Sequence, residues 1–185
     1  MSALLFSTLS VALAEIGDKT QLLALLLATR FKKPVPIILA ITIATLANHG
    51  LAAALGNYLN HLINPNYLSW IAATGFILMG IWVLIPDKLD DTPTKTHQWG
   101  AFLTTLILFF LVEIGDKTQI ATIVLATHYS ATLQVIIGTT MGMLLANVPV
   151  VVLGQFAADK LPLKWIRWTT ASLFILLGVA ALLFT

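Results

Sequence analysis

Glu15-Ile16-Gly17-Asp18-Lys19-Thr20-Gln21 recurs, residue for residue, as Glu113-Ile114-Gly115-Asp116-Lys117-Thr118-Gln119. Each copy lies in the middle of a long apolar stretch. Glu15, Asp18 and Lys19 are the only formal charges in the first stretch, and Glu113, Asp116 and Lys117 the only ones in the second. An ionisable side chain at the centre of a bilayer costs at least ~2.5–3.5 kcal/mol, so such groups mark function by default. Two matching groups of them predict a cation site assembled from the halves of a duplicated chain.

The 185 residues are 58% hydrophobic and only 10% charged, whereas a soluble domain carries roughly 25% charged residues. Mean hydropathy is +0.93. This is the composition of a membrane protein, with the lipid bilayer as its surroundings. The net charge of +2 is small and its positive residues lie in short loops, which argues against a nucleic-acid partner. Absence of cysteine excludes disulfides and thiolate metal sites. The first residues, Met1-Ser2-Ala3-Leu4-Leu5-Phe6, form no basic n-region, so the first apolar segment is expected to stay in the mature protein.

Six segments, 3–29, 34–59, 67–85, 101–127, 130–158 and 165–184, are long enough to cross ~30 Å of hydrocarbon as helices. Pro34 and Pro36 suit the first turn of the second segment, where a missing N–H breaks no internal bond. The polar stretch 87–98 carries five charged residues and separates a first three-helix unit, 1–86, from a second, 99–185. The units match at an offset of 98. Leu27-Ala28-Thr29 recurs as Leu125-Ala126-Thr127, and Gly56, Trp70 and Gly80 correspond to Gly154, Trp168 and Gly178. Leu46-Ala47-Asn48 recurs one residue late, as Leu145-Ala146-Asn147. So long a period indicates tandem duplication of a three-helix unit rather than a solenoid.

Charge bias sets the orientation. Arg30, Lys32, Lys33, Lys88, Lys95, Lys160, Lys164 and Arg167 all fall in loops on one side, which the positive-inside rule assigns to the cytoplasm. Both termini then lie outside, in the periplasm for an inner-membrane protein. An odd number of spans per unit puts the second unit in the membrane the opposite way. The expected fold is therefore an all-α membrane protein of six transmembrane helices, arranged as two inverted three-helix repeats, as in many secondary transporters.

Helices as long as segments 3–29 and 101–127 would measure ~40 Å, so they must tilt or break. Gly17 and Gly115, beside the carboxylates, are the expected break points. Two-fold symmetry would bring Glu15 and Asp18 opposite Glu113 and Asp116 at mid-membrane. With Thr20, Thr118, Gln21 and Gln119 nearby, these acids form an all-oxygen site. Oxygen ligands suit Mg²⁺, Ca²⁺ or Mn²⁺ better than Zn²⁺ or Cu²⁺. Four carboxylates and two lysines sum to −2, which one divalent ion neutralises. Without it the carboxylates repel one another, so protons can take its place. Lys19 and Lys117 set this charge balance, each placed to pair with Glu15 or Glu113 one helical turn away. Purely structural Glu–Lys pairing is the bland alternative, and an identical heptad at two membrane centres argues against it.

Asn48 and Asn147 also correspond under the duplication; their amide oxygens are candidate ligands, with an interhelical hydrogen bond as the alternative. His49 has no histidine counterpart, and packing is favoured over a proton relay. His61, His97 and His128 fall in or near loops. Gly138-x-x-x-Gly142 marks either an internal helix contact or a homodimer face, the internal contact being favoured. Pro149 is expected to kink its helix and free a carbonyl. Trp70, Trp99, Trp165 and Trp168 fit interfacial anchors.

The duplicated E-x-G-D-K/R-T/S signature, in two three-helix halves covering nearly the whole chain, resembles a family of cation/proton antiporters related to the eukaryotic Golgi manganese and calcium transporters. The resemblance implies an inverted six-helix repeat and Mn²⁺ or Ca²⁺ transport coupled to protons. It maps the motif acids onto Glu15, Asp18, Glu113 and Asp116, and the basic positions onto Lys19 and Lys117. The long N-terminal extension and large central loop of eukaryotic members are missing here. The chain is similar to the compact bacterial type, which implies manganese export. No prosthetic cofactor and no enzymatic activity are expected. The competing readings are a divalent-cation channel or uniporter, an intramembrane acid hydrolase built on paired aspartates, and an exporter of basic amino acids. The lysine after each aspartate and the equal Glu/Asp pairs disfavour a hydrolase.

Overall fold

A computed structural model describes residues 2–85, 99–129, 131–153 and 163–183. Among the described residues are eight α-helices: α1 (Ala3–Glu15), α2 (Lys19–Phe31), α3 (Pro34–Leu62), α4 (Pro65–Val83), α5 (Gly100–Glu113), α6 (Lys117–His128), α7 (Thr132–Leu153) and α8 (Leu163–Leu183). The linker with Lys88 and Lys95, together with His97, Gly154, Lys160 and the side chains of Lys164 and Arg167, lies outside the described residues.

The first and fourth apolar segments are each broken in the middle. Gly17 (φ 80°) separates α1 from α2, and Gly115 (φ 74°) separates α5 from α6. That left-handed conformation costs an L-residue with a Cβ ~1–2 kcal/mol, and glycine adopts it freely. Ile16 and Ile114 beside the glycines are extended. By contrast α3, which starts on Pro34, and α7, which continues through Pro149, are uninterrupted. Each of these two is long and apolar enough to cross a membrane alone.

The packing is reciprocal. As α1 lies along α7, α5 lies along α3, and as α2 contacts α7, α6 contacts α3. The middle is closed by α3 against α7 and α4 against α8. Residues 98 apart meet each other there. Phe76 stacks on Phe174 with ring centroids 6.2 Å apart. A Cβ on Gly80 would come within 2.7 Å of Ile175, and one on Gly178 within 2.5 Å of Ile77, so neither helix can approach the other with a side chain at these positions. Such mutual contacts are what a two-fold relation between the halves produces.

Gly138 and Gly142 lie against Leu4 and Thr8 of α1, so that motif serves an internal contact. Apolar side chains cover the outside, among them Leu5, Leu9, Leu51, Leu55, Leu78, Ile81, Leu176 and Val179. Buried positions are rich instead in alanine, glycine, serine and threonine. Helices surrounded by lipid gain little from burying leucine, and small residues let their backbones pack closely. Trp70, Trp99, Trp165 and Trp168 are exposed, as interfacial anchors would be.

Candidate metal centre

Each helix break delivers the same set of side chains to the interior. Glu15 ends α1, Asp18 caps α2 and Lys19 is the first residue of α2; Glu113, Asp116 and Lys117 repeat this between α5 and α6. Local sequence holds the breaks. The Asp18 N–H donates to the Glu15 carbonyl at 3.0 Å, and the Gly17 N–H donates to Gln21 Oε1 at 2.8 Å. In the second copy the Asp116 N–H donates to the Glu113 carbonyl at 3.1 Å, and the Gly115 N–H to Gln119 Oε1 at 2.7 Å. Gln21 Nε2 also donates to the Ala146 carbonyl at 3.0 Å. Both glutamine oxygens, expected as ligands, are thus engaged in bracing the turns.

An aspartate at a helix start ordinarily folds its carboxylate back onto first-turn amides. Neither Asp18 nor Asp116 does so. Both reach across to the other copy, while the amino-terminal ends of α2 and α6 supply partial positive charge beside them. Lys19 Nζ lies 3.0 Å from Asp116 Oδ1, and Lys117 Nζ lies 2.6 Å from Asp18 Oδ1. The lysines therefore do not sit on Glu15 and Glu113. That expectation needed a continuous helical turn, and the breaks at Gly17 and Gly115 remove it.

The asparagines cross over as well. Asn147 Nδ2 donates to Glu15 Oε1 at 3.3 Å and to the Met143 carbonyl at 3.0 Å. Asn48 Nδ2 donates to Glu113 Oε2 at 3.1 Å and to the Phe110 carbonyl at 3.0 Å. Each amide oxygen is left facing the interior without a hydrogen bond among the described residues, as are Glu15 Oε2, Glu113 Oε1 and Thr20 Oγ1. Thr118 differs, its hydroxyl lying 3.2 Å from Asp116 Oδ2 as donor.

Oxygens of Glu15, Asp18 and Asp116 all lie within 4.8 Å of one another, whereas Glu113, expected in the same set, is not part of that cluster. All four acids are at most 1% exposed. A buried polar atom left unpaired costs roughly 1–3 kcal/mol, more when charged. Carboxylate, amide and hydroxyl oxygens converging at that cost suit a hard cation that takes several oxygen ligands. Their two lysines leave the cluster at −2, so the deficit is one divalent charge.

One feature of the site lies outside the motif. His49 is fully buried, with Nε2 3.1 Å from Glu113 Oε1; the histidine treated as packing touches a motif acid. Ser7 and Thr105 are buried hydroxyls without hydrogen bonds among the described residues. They stand 98 apart, eight residues before Glu15 and Glu113, which at ~1.5 Å per residue puts them ~12 Å along the helix from those acids.

Comparison with known proteins bears on the chain as a whole. The family model of the divalent cation/proton antiporter GDT1 matches residues 3–91 and 101–185. A Vibrio cholerae protein named "Putative manganese exporter" is 55% identical over 185 residues, covering 100% of this chain and 92% of its own. GDT1-like protein 3 of Oryza sativa is 28% identical, covering 96% of this chain and 72% of its own. A GDT1-like protein of Synechocystis is 25% identical, covering 98% and 97%. No solved structure matches. The chain belongs to the GDT1 family of divalent cation/proton antiporters.

Proposed function

We propose that the protein exports Mn²⁺ from the cytoplasm in exchange for protons, through one site shared by Glu15, Asp18, Glu113 and Asp116. The observation that carries this is the crossed pairing of Lys19 with Asp116 and Lys117 with Asp18. Each lysine neutralises an acid of the other repeat, so the two copies act as one centre. Asn48, Asn147, Thr20 and Thr118 supply further oxygens, and Gln21 and Gln119 hold the breaks. A transporter family leaves no place for the hydrolase. Antiport likewise replaces the channel and amino-acid readings.

The two halves form inverted repeats, 1–86 and 99–185, joined by a cytoplasmic linker at 87–98. Six spans result when α1–α2 and α5–α6 each count as one broken crossing. Two helices of about 13 residues reach ~39 Å at ~1.5 Å per residue, enough for a ~30 Å core. Both termini lie in the periplasm, and the membrane is the inner one.

Chemistry follows from charge. A divalent ion or two protons cancel the −2 of the acids and lysines. When the acids are vacated by the ion, the ammonium groups hold Asp18 and Asp116; an arriving cation competes with them for the same oxygens. Moving a positive charge out of an inside-negative cell is opposed by ~2.3 kcal/mol per charge per 100 mV, so export needs a coupled proton. The halves are also not equivalent. Gln21 ties α2 to α7, Gly17 is buried, and Gly115 is exposed. Gln119 makes no matching bond to α3 among the described residues. In the orientation set by charge bias, Gln21 lies on the cytoplasmic side of Glu15, so that side is the tied one. Exchanging tied and untied sides between the repeats gives alternating access.

The test is complementation. In a bacterial host made manganese-sensitive by loss of its own exporter, the protein should restore growth in excess Mn²⁺ and lower cell manganese. Asp116→Asn should insert in the membrane and do neither. Full rescue by Asp116→Asn would overturn the shared site.

A further inference from the structure

Glu113 has a neighbour that Glu15 lacks. His49 follows Asn48 on α3, and the residue after Asn147 on α7 is Val148. The repeat therefore gives an imidazole to one half alone. His49 is 0% exposed. Its Nε2 stands 3.1 Å from Glu113 Oε1, yet neither atom, nor Nδ1, makes a hydrogen bond among the described residues. A carboxylate oxygen and a ring nitrogen this close attract only if a positive centre lies between them. An aligned N–H is one such centre and a metal ion is the other. Burial makes an unfilled pair costly.

We propose that His49 Nε2 is a ligand to the transported cation beside Glu113 and biases the site toward Mn²⁺ over Ca²⁺. This rests on the four-acid site proposed above, in which Glu113 joins the cluster of Glu15, Asp18 and Asp116 when the ion is bound. The oxygens of that site serve both ions. Ca²⁺ takes oxygen ligands in a shell of six to eight, whereas transition metals accept imidazole nitrogen as well. A single nitrogen on one wall therefore selects between two ions that carboxylates alone treat alike. Its position in one repeat makes the centre chemically asymmetric, with the nitrogen on the Glu113 side.

The test is pulsed electron paramagnetic resonance of Mn²⁺ bound to the purified full chain. The wild type should show ¹⁴N modulation from a directly bound imidazole, and His49→Gln should bind Mn²⁺ without it. In liposomes, His49→Asn and His49→Gln should lower the preference for Mn²⁺ over Ca²⁺ by ~10–100-fold, the usual range for disturbing a metal's close partners. Elution of both variants as a single species at the wild-type volume in detergent separates loss of the nitrogen from loss of folding. If wild-type protein binds Mn²⁺ through its acids but shows no ¹⁴N modulation, the His49 inference falls and the cation site stands. If wild-type protein binds no Mn²⁺, or Asp116→Asn binds it equally well, the site itself falls and takes the inference with it.

Discussion

The two lysines are identical in sequence context and different in surroundings. The Lys117 side chain is 5% exposed against Asp18, whereas Lys19 is 26% exposed against Asp116. Removing one partner of a buried pair leaves an uncompensated charge, at ~3–5 kcal/mol. Both aspartates are 1% exposed, so removing either lysine strands a buried carboxylate, and the Lys19 pair differs only in being partly screened. Both substitutions, Lys117→Met and Lys19→Met, should lower the unfolding midpoint in detergent, Lys117→Met by the larger amount. Adding Asp18→Asn to Lys117→Met should recover part of the loss, since the two residues share one interaction. Equal effects of the two lysine substitutions would show that the difference in burial carries no energy. The sequence pointed to all six charged residues and could not pair them correctly. Partners 98 or more positions apart follow from how the halves meet, which no local spacing encodes. His49 reads as a packing residue for a related reason: the duplication highlights what recurs, and His49 occurs once.

At the scale of elements, the glycine breaks turn apolar spans into a site. A Cβ on Gly115 would meet nothing within 4 Å, so any penalty there is conformational rather than steric. Gly115→Ala should cost ~1–2 kcal/mol through its left-handed φ alone. Gly115→Asn should be milder, because asparagine visits that region more readily. Thermal unfolding of the two variants beside the wild type measures this, and an alanine variant as stable as the wild type would contradict it. The sequence made the breaks legible because a helix spanning 3–29 or 101–127 would overrun the bilayer and each has one glycine beside its acids. The brace was less legible. Gln21 and Gln119 read as ligands because they lie near carboxylates, but a reversed turn exposes an amide that a side-chain oxygen four residues on can reach. Pro149 lies inside α7, which continues through it from Thr132 to Leu153.

For the whole molecule, duplication accounts for most of the architecture. Phe76 meeting Phe174, and Gly80 and Gly178 meeting each other's neighbours, tie α4 to α8 by a rule already present in the offset of 98. Departures from that rule cluster at the centre: His49 against Val148, and Gln21 tied to α7 where, among the described residues, Gln119 makes no such bond to α3. Exchange through the shared carboxylates is tested most directly in liposomes enclosing a pH-sensitive dye, with purified protein in the bilayer and Mn²⁺ added outside. Mn²⁺ entry should drive protons out of the lumen, and Glu113→Gln should abolish both movements. Mn²⁺ entry without proton movement, or undiminished exchange by Glu113→Gln, would contradict it.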